Sequence, residues 1–391
     1  MSDWIDVTGE EGAKWLAEQG EPTFRRRQIA DWIYEKFAIS WDEMTNLKES
    51  LKKKLSIQYS YPMLSLEKVE HSEDGQTQKF LFSLLQGDLV ESVLISSGRR
   101  RTLCLSSQIG CRARCAFCAS GAAGWKRNLC TAEIVEQWIQ VNCWLQSKGE
   151  RISHLVFMGM GEPLENLVAV RKSIELFTHP DCGSLSTRRI TLSTVGLVEE
   201  IYELAKQKPS ISLAFSLHAP NQEIRKKIIP YARKYPLDKI LHALDHYSSL
   251  TGREVTYEYV LIDKINAERE HALQLAKLIA NRSVTLNLIP YNPIPVRSLR
   301  RPSTEKIRAF IYTLRQRGVR RVTCRYTKGV DIAAACGQLA LQENVSFSTP
   351  SEKHRANRGR EEREKRDERE GDVQRSLSRE AIENQRARVD L

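Results

Sequence analysis

The sequence predicts an α/β protein built on a parallel sheet covered by helices, and three observations lead there. Six short apolar runs (Leu103–Leu105, Leu155–Met158, Ile190–Ser193, Ile211–Leu217, Val255–Ile262 and Val284–Ile289) have strand length and little polar interruption, the pattern of strands buried on both faces. Helix-patterned stretches lie between them, including Thr131–Leu145, Asn266–Ala280 and Ser303–Arg317, so strand and helix alternate. The chain has 391 residues, 41% of them hydrophobic, enough for a large core. Both a barrel-like and a doubly wound sheet fit this alternation, and both gather their chemistry at the C-terminal ends of the strands.

Four segments follow in order. Residues 1–58 read as a helical unit: Thr8 and Glu11 have the spacing of a capping box, and Ile29, Ile33 and Phe37 recur at helical intervals beside Trp32. Residues 59–98 read as a small β extension, with Asp74-Gly75 as a turn between β-prone Lys79–Phe82 and Leu89–Ile95. Residues 99–344 carry the strand–helix alternation; Thr131 is expected to cap its helix, with Ile134, Val135 and Trp138 on one side. From 345 to 391 Arg and Glu dominate with few apolar residues, which predicts a disordered or single-helix tail.

The formal net charge is +11, which favours a polyanionic partner such as RNA or DNA. The tail is not its source: residues 351–391 hold 12 Lys and Arg against 11 Asp and Glu, leaving about +10 to the rest. Basic clusters recur there at Arg25-Arg26-Arg27, Lys52-Lys53-Lys54, Arg99-Arg100-Arg101, Arg188-Arg189, Lys226-Lys227, Arg300-Arg301 and Arg320-Arg321. Each alone reads as a solvated face; their number favours nucleic acid. No apolar run approaches the ~18 residues of a membrane span, and the acidic start, Met-Ser-Asp-Trp-Ile-Asp, lacks the form of a secretory signal. Nine cysteines without a signal point to thiols, metal ligands or catalysis rather than a disulfide framework. The expected compartment is the cytoplasm.

The most specific motif is Gly110-Cys-Arg-Ala-Arg-Cys-Ala-Phe-Cys-Ala119, which sets Cys111, Cys115 and Cys118 in a CxxxCxxC run. Structural zinc takes four protein ligands, whereas iron–sulfur clusters are held by thiolates at short intervals. Three cysteines therefore suggest a cluster with one open iron, and the pattern resembles the signature of radical S-adenosylmethionine (SAM) enzymes. A zinc site completed by a distant ligand, or a redox cysteine cluster, is the plainer reading of the motif alone.

Further polar segments stand at strand ends: Thr102-Leu-Cys104-Leu-Ser-Ser-Gln108, Met158-Gly-Met-Gly161-Glu162-Pro163-Leu164, Thr191-Leu-Ser193-Thr-Val-Gly196, Ser216-Leu217-His218-Ala-Pro220, Leu288-Ile-Pro-Tyr-Asn292-Pro293 and Asp331-Ile-Ala-Ala-Ala-Cys336-Gly-Gln-Leu339. Together, over roughly residues 5 to 342, they resemble the RlmN/Cfr family of radical SAM methyltransferases that act on an adenine of 23S ribosomal RNA. The resemblance implies a radical SAM partial (βα)6 barrel with an N-terminal helical accessory domain for RNA docking and a small β segment. It implies a [4Fe-4S] cluster on Cys111, Cys115 and Cys118. SAM contacts would come from Gly161, Glu162, Ser193, Ser216, Leu217, His218 and Asn292. Cys336 would carry the methyl group as S-methylcysteine, Cys104 would resolve it through a transient disulfide, and Glu91 would accept the proton. The implied reaction is methylation of carbon 2 of adenine 2503 in 23S rRNA, with adenine 37 of some tRNAs as a candidate second substrate, using two SAM. A monomer served by an electron donor such as flavodoxin, with no membrane partner, is the expected state.

The chemistry has its reasons. Carbon 2 lies between two ring nitrogens and is not nucleophilic, so polar transfer from SAM fails there while a carbon radical can add. A Gly-Glu loop can approach SAM closely and set a carboxylate against its ammonium, and attack of a thiolate on sulfur is ordinary exchange chemistry. Read from the residues alone, Glu91 fits the solvent side of an edge strand, His218 a structural histidine and Cys336 a small core residue. Cys130, Cys143, Cys182 and Cys324 read as packing residues. Where the family commonly ends an Arg-rich run in Arg-Gly, this chain has Arg325-Tyr-Thr-Lys328-Gly329, and lysine lacks the arginine fork. The competing functions are carbon-8 methylation by the same residues, against which Glu162-Pro163 resembles the carbon-2 branch, and a non-enzymatic RNA-binding protein with a structural metal.

Overall fold

The six apolar runs are strands, and a seventh parallel strand joins them. The computed structural model describes residues 2–339 apart from 209, 296–297 and 326–327; Met1–Leu341 form one compact unit. The tail expected from residue 345 lies outside the described residues. The main sheet has ten strands whose spatial order follows the chain: β1 (Leu64–His71), β2 (Thr77–Leu84), β3 (Leu89–Ser97), β4 (Arg100–Cys104), β5 (His154–Phe157), β6 (Ile190–Thr194), β7 (Ser212–Ser216), β8 (Val255–Leu261), β9 (Val284–Pro290) and β10 (Val322–Cys324). β1 to β4 form an antiparallel meander, and β4 to β10 are mutually parallel. The β extension thus continues the main sheet directly. The seventh strand, β10, was hidden because Val322–Cys324 is short and flanked by arginines rather than apolar residues.

Helices α4 (Thr131–Gln146), α5 (Leu167–Thr178), α6 (Val198–Lys206), α7 (Gln222–Ile228), α8 (Leu237–Thr251), α9 (Arg269–Ile279) and α10 (Thr304–Gln316) make the crossovers between the parallel strands. Ser303 caps α10 through Lys306 N (3.3 Å). The cap of α4 is Cys130 rather than Thr131, because the Glu133 carboxylate accepts from Cys130 N at 2.8 Å. α9 starts at Arg269, later than expected, because Asn266 is consumed in a buried loop: its side chain bonds Ile262 N, Val260 O and His218 O (2.6–2.7 Å).

The N-terminal helices are α1 (Glu10–Glu18), α2 (Phe24–Tyr34) and α3 (Glu49–Gln58), preceded by a turn at Ile5–Thr8. The Thr8–Glu11 capping box does not form. Thr8 closes the preceding turn, with Oγ1 on Ile5 O (2.8 Å), and Gly9 caps α1. Phe37 lies beyond α2 with φ +50° but is buried, as Ile29 and Ile33 are. Among its ties to the sheet domain are Gln146 Nε2 on Lys36 O (2.9 Å), Arg151 Nη1 on Glu35 (3.0 Å) and one buried carboxylate. Glu136 of α4 accepts from Trp4 Nε1 (3.1 Å), Met63 N (3.0 Å) and Leu64 N (2.9 Å). Trp4 is fully buried between Tyr34 and Tyr61, a contribution of about 2–3 kcal/mol for a large apolar side chain.

The two ends of the sheet approach through the segment after β10. Lys328 Nζ donates to Ser96 O in β3 (3.1 Å), and Glu73 N donates to Asp331 Oδ2 (2.7 Å). The sheet therefore curls into an incomplete barrel. Among the described residues no helix is long and apolar enough to cross a membrane.

Candidate active site

Residues paired across a sheet project to the same face, as do residues two apart on one strand. In β3, Val93 pairs with Cys104 and lies two residues from Glu91; across β2 the same row holds Lys79. Cys104 pairs with Val156, Val156 with Thr191, and Ser193 with Ala214. Ser216 pairs with Glu258, Glu258 with Asn287 and Asn287 with Thr323. One face of the sheet thus carries Lys79, Glu91, Cys104, Ser193, Ser216, Glu258, Asn287 and Thr323. The other carries Leu103, Phe157, Leu192, Leu213, Phe215, Tyr257 and Leu286, all buried in the core. The polar face is the barrel interior.

The cysteine loop follows β4. Gly110 makes it possible: at φ +74° a Cβ would lie 1.8 Å from Gly124 O, the same carbonyl that accepts Cys111 N at 2.7 Å. Cys111 and Cys115 are buried and Cys118 half-buried. Burial pushes the Cys111 and Cys115 thiols up, and the Cys118 sulfur adds to both. Among the described residues no three His, Cys, Asp or Glu side chains surround a point where one metal ion would sit. Nearby, the fully buried Arg225 has its Nη1 without a hydrogen-bond partner, and Cys115 is the charge acting on it. Three soft thiols beside an uncompensated buried cation fit an anionic iron–sulfur cluster.

The SAM-contact candidates line strand ends around this loop. Gly161 (φ +107°) admits no side chain, since a Cβ would meet Gln108 Cβ at 2.7 Å and Ser107 Oγ at 2.8 Å. Its neighbour Glu162 is buried, with N on Gln108 Oε1 (2.8 Å), Oε1 on Leu164 N (3.1 Å) and Oε2 on Val195 N (2.8 Å). Burial raises its carboxyl to about 7 against those donors. The carboxylate therefore ties two loops together, with the Thr194 side chain as a third donor to it. His218 (φ +54°) accepts Val260 N on Nδ1 (3.0 Å) and meets Phe117 of the cysteine loop edge-on at 4.7 Å. Burial, then Arg225, lowers it to about 3, so it is neutral. Asn292 Nδ2 donates to Cys336 O (3.1 Å).

The Cys336 segment is fastened onto the cysteine loop: Ala119 N donates to Gly337 O (2.7 Å) and Ser120 Oγ to Leu339 O (2.6 Å). Gln338 Nε2 donates to Pro293 O (3.0 Å). Cys336 opens to solvent but sits deep in the hollow; that depth, then Glu258 and Cys118, push its thiol up to about 11, with Arg325 opposing. Cys104 is buried; burial, then Cys336, raises its thiol well above the ordinary range. No disulfide joins the nine cysteines. Glu91 is 3% exposed on an interior strand, not on an exposed edge, because β1 and β2 extend the sheet beyond it. Its carboxylate lies 3.5 Å from Lys79 Nζ, which also meets Glu70 at 2.6 Å.

Sequence reasoning missed Lys79, Arg225, Glu258 and Arg325. Glu258 is 4% exposed, bonded to Asn287 Nδ2 (2.9 Å), 3.9 Å from Arg325 and left with Oε2 unpartnered. A lone carboxylate inside the apolar run Val255–Ile262 was the available signal. Lys328, which stands where the family commonly has arginine, donates to Ser96 O.

Comparison with known proteins bears on the fold and the family. Residues 105–276 match the model of the Radical SAM superfamily, and residues 3–59 that of the Ribosomal RNA large subunit methyltransferase N-terminal domain. The probable dual-specificity RNA methyltransferase RlmN 2 of Protochlamydia amoebophila is 53% identical, over 87% of this chain and 95% of its own length. The probable RlmN of Caldicellulosiruptor saccharolyticus is 41% identical over 87% and 98%. A crystal structure of a radical SAM methyltransferase from Sphaerobacter thermophilus superposes with TM-score 0.84 at 39% identity, covering 86% of this chain and 99% of that one.

Proposed function

The chain belongs to the RlmN family of radical SAM enzymes, and we propose that it methylates carbon 2 of an adenine in RNA through Cys336. The substrates would be adenine 2503 of 23S rRNA and adenine 37 of some tRNAs, in keeping with the dual-specificity RNA methyltransferases it resembles. The observation that carries the reading is the arrangement of the inward face. Cys104 and Glu91 share it one row apart, and the Cys336 segment is bonded to the cysteine loop that would hold the cluster.

When bound, the cluster and two SAM molecules supply a methyl group and a 5′-deoxyadenosyl radical. Cys111, Cys115 and Cys118 hold the cluster; Gly161, Glu162, Ser193, Ser216, Leu217, His218 and Asn292 shape the SAM pocket. Cys336 Sγ takes the methyl group. Loss of a hydrogen atom from that S-methyl leaves a methylene radical, whose carbon bonds to carbon 2 of the adenine. The adduct radical gives up its surplus electron to the oxidised flavodoxin-like carrier. Cys104, as thiolate, then bonds through Sγ to the Cys336 sulfur, and the electron pair of the broken sulfur–carbon bond stays on the carbon, which takes a proton to become the methyl group. Glu91 takes the proton from carbon 2, with Lys79 Nζ 3.5 Å from its carboxylate. Glu258, the largest charge acting on Cys336, stands where the thiol must lose its proton. The protein would work as a monomer in the cytoplasm with a flavodoxin-like donor.

Nucleoside mass spectrometry of rRNA and tRNA from cells with and without the protein tests this. 2-Methyladenosine that vanishes with the protein is the expected result. An 8-methyladenosine product would replace the carbon-2 reading, and unmodified RNA in both would remove it.

A further inference from the structure

Arg225 is the buried group that the reaction above does not use. It sits on α7 and is 0% exposed. Its Nε donates to Leu217 O (3.2 Å), and its Nη2 to Val195 O (2.6 Å) and Ser216 O (3.2 Å). The guanidinium also stands 5.2 Å from the Phe215 ring. Those three carbonyls close the ends of β6 and β7, where the SAM-pocket residues Ser193, Ser216 and Leu217 stand. Among the described residues it forms no ion pair, and both hydrogens of Nη1 lack a protein acceptor. α7 leads straight to the cluster loop, since Ile228 O at its end accepts Ala116 N (2.8 Å), the residue after Cys115.

Burying a guanidinium without a carboxylate is costly, and carbonyl dipoles offset only part of that. A [4Fe-4S] core with three thiolates is anionic, and more so when reduced. Resting on the radical SAM reading above, we propose that Arg225 is the built-in counter-cation of the cluster site, a positioning residue whose charge eases cluster reduction and whose three hydrogen bonds hold the strand ends flanking SAM. Burial brings the Arg225 guanidinium down to about 10, against the pull of Cys115, so it stays charged at neutral pH. A merely structural arginine would serve the carbonyls alone and leave the cluster's potential untouched.

The test compares wild type, Arg225→Lys and Arg225→Met after anaerobic reconstitution, by iron content, redox titration followed by electron paramagnetic resonance, and equilibrium SAM binding. The Met variant should show a more negative reduction potential. The Lys variant should keep a potential close to wild type but bind SAM about tenfold more weakly, because an ammonium cannot fork to three carbonyls. If the Met variant fails to hold iron while the Lys variant holds it, the charge requirement is supported directly. A wild-type potential in the Met variant, or equal loss of iron from both, would overturn the counter-cation. Unchanged SAM affinity in the Lys variant would overturn the positioning role. Wild type that takes up no iron and sulfide would instead sink the radical SAM reading itself.

Discussion

Gly110 is where one methyl group should separate folding from cluster binding. In Gly110→Ala the new Cβ would lie 1.8 Å from Gly124 O and 2.8 Å from its carbonyl carbon, where real contacts are not closer than 3.0 Å, so the carbonyl must retreat by about 1.2 Å. That carbonyl holds Cys111 N at 2.7 Å, a bond contributing about 1 kcal/mol. Left-handed φ adds about 1–2 kcal/mol for a residue with a Cβ. The sum, about 2–3 kcal/mol, is within what a domain of this size survives, but it falls on the first cluster cysteine. Gly124→Ala is the matched control: its φ is +88°, yet nothing lies within 4 Å of its Cβ, so only the backbone term applies. Iron and sulfide per chain after anaerobic reconstitution, alongside circular dichroism, should show Gly110→Ala folded with little cluster and Gly124→Ala loaded. Full iron in Gly110→Ala, or equal loss in both, would refute the steric account of this loop.

Glu136 predicts a pH effect on stability. Burial raises its folded carboxyl to about 7 from 4.5, so between those pH values the folded chain keeps a proton that the unfolded chain has released. Stability should therefore fall as pH rises from 4.5 to 7, and Glu136→Gln should remove about 2 kcal/mol of that difference in urea titrations at pH 5 and 7; identical slopes would contradict it. Glu91→Gln should leave methylation of Cys336 intact but slow release of methylated RNA by about 10²–10⁴, measured in single turnover. Unchanged release would show that another group takes the proton. Filter-binding affinity for an rRNA fragment should drop steeply between about 50 and 200 mM salt; a flat response would contradict docking by the basic clusters.

Much of this site could be read in advance because its signals are local. The three cysteines within eight residues, and the apolar strand runs, are set by short-range spacing and periodicity. Cap positions were read less well. Thr8 looked like a helix start, but burial made it the end of a turn, and Cys130 took the cap expected of Thr131 because Glu133 reached its amide. Arg225 and Glu258 were missed because their meaning depends on register and burial, although Glu258 stood out as a lone carboxylate in an apolar run. Arg225 carries no signal of its own beside the Lys226-Lys227 cluster; its three carbonyl contacts and the charge of Cys115 acting on it set it apart. Glu91 was ambiguous for the same reason, since only the strands beyond it make its carboxylate an interior one.

The central claim is that Cys336 carries carbon to the base and Cys104 releases it. Cys104→Ala, reconstituted and given SAM, reductant and an rRNA fragment, tests it directly by mass spectrometry of the digested product. A nucleotide linked through one carbon to the Cys336 sulfur is predicted to accumulate. Free unmodified RNA, free methylated RNA at the wild-type rate, or an adduct on any other residue would contradict it.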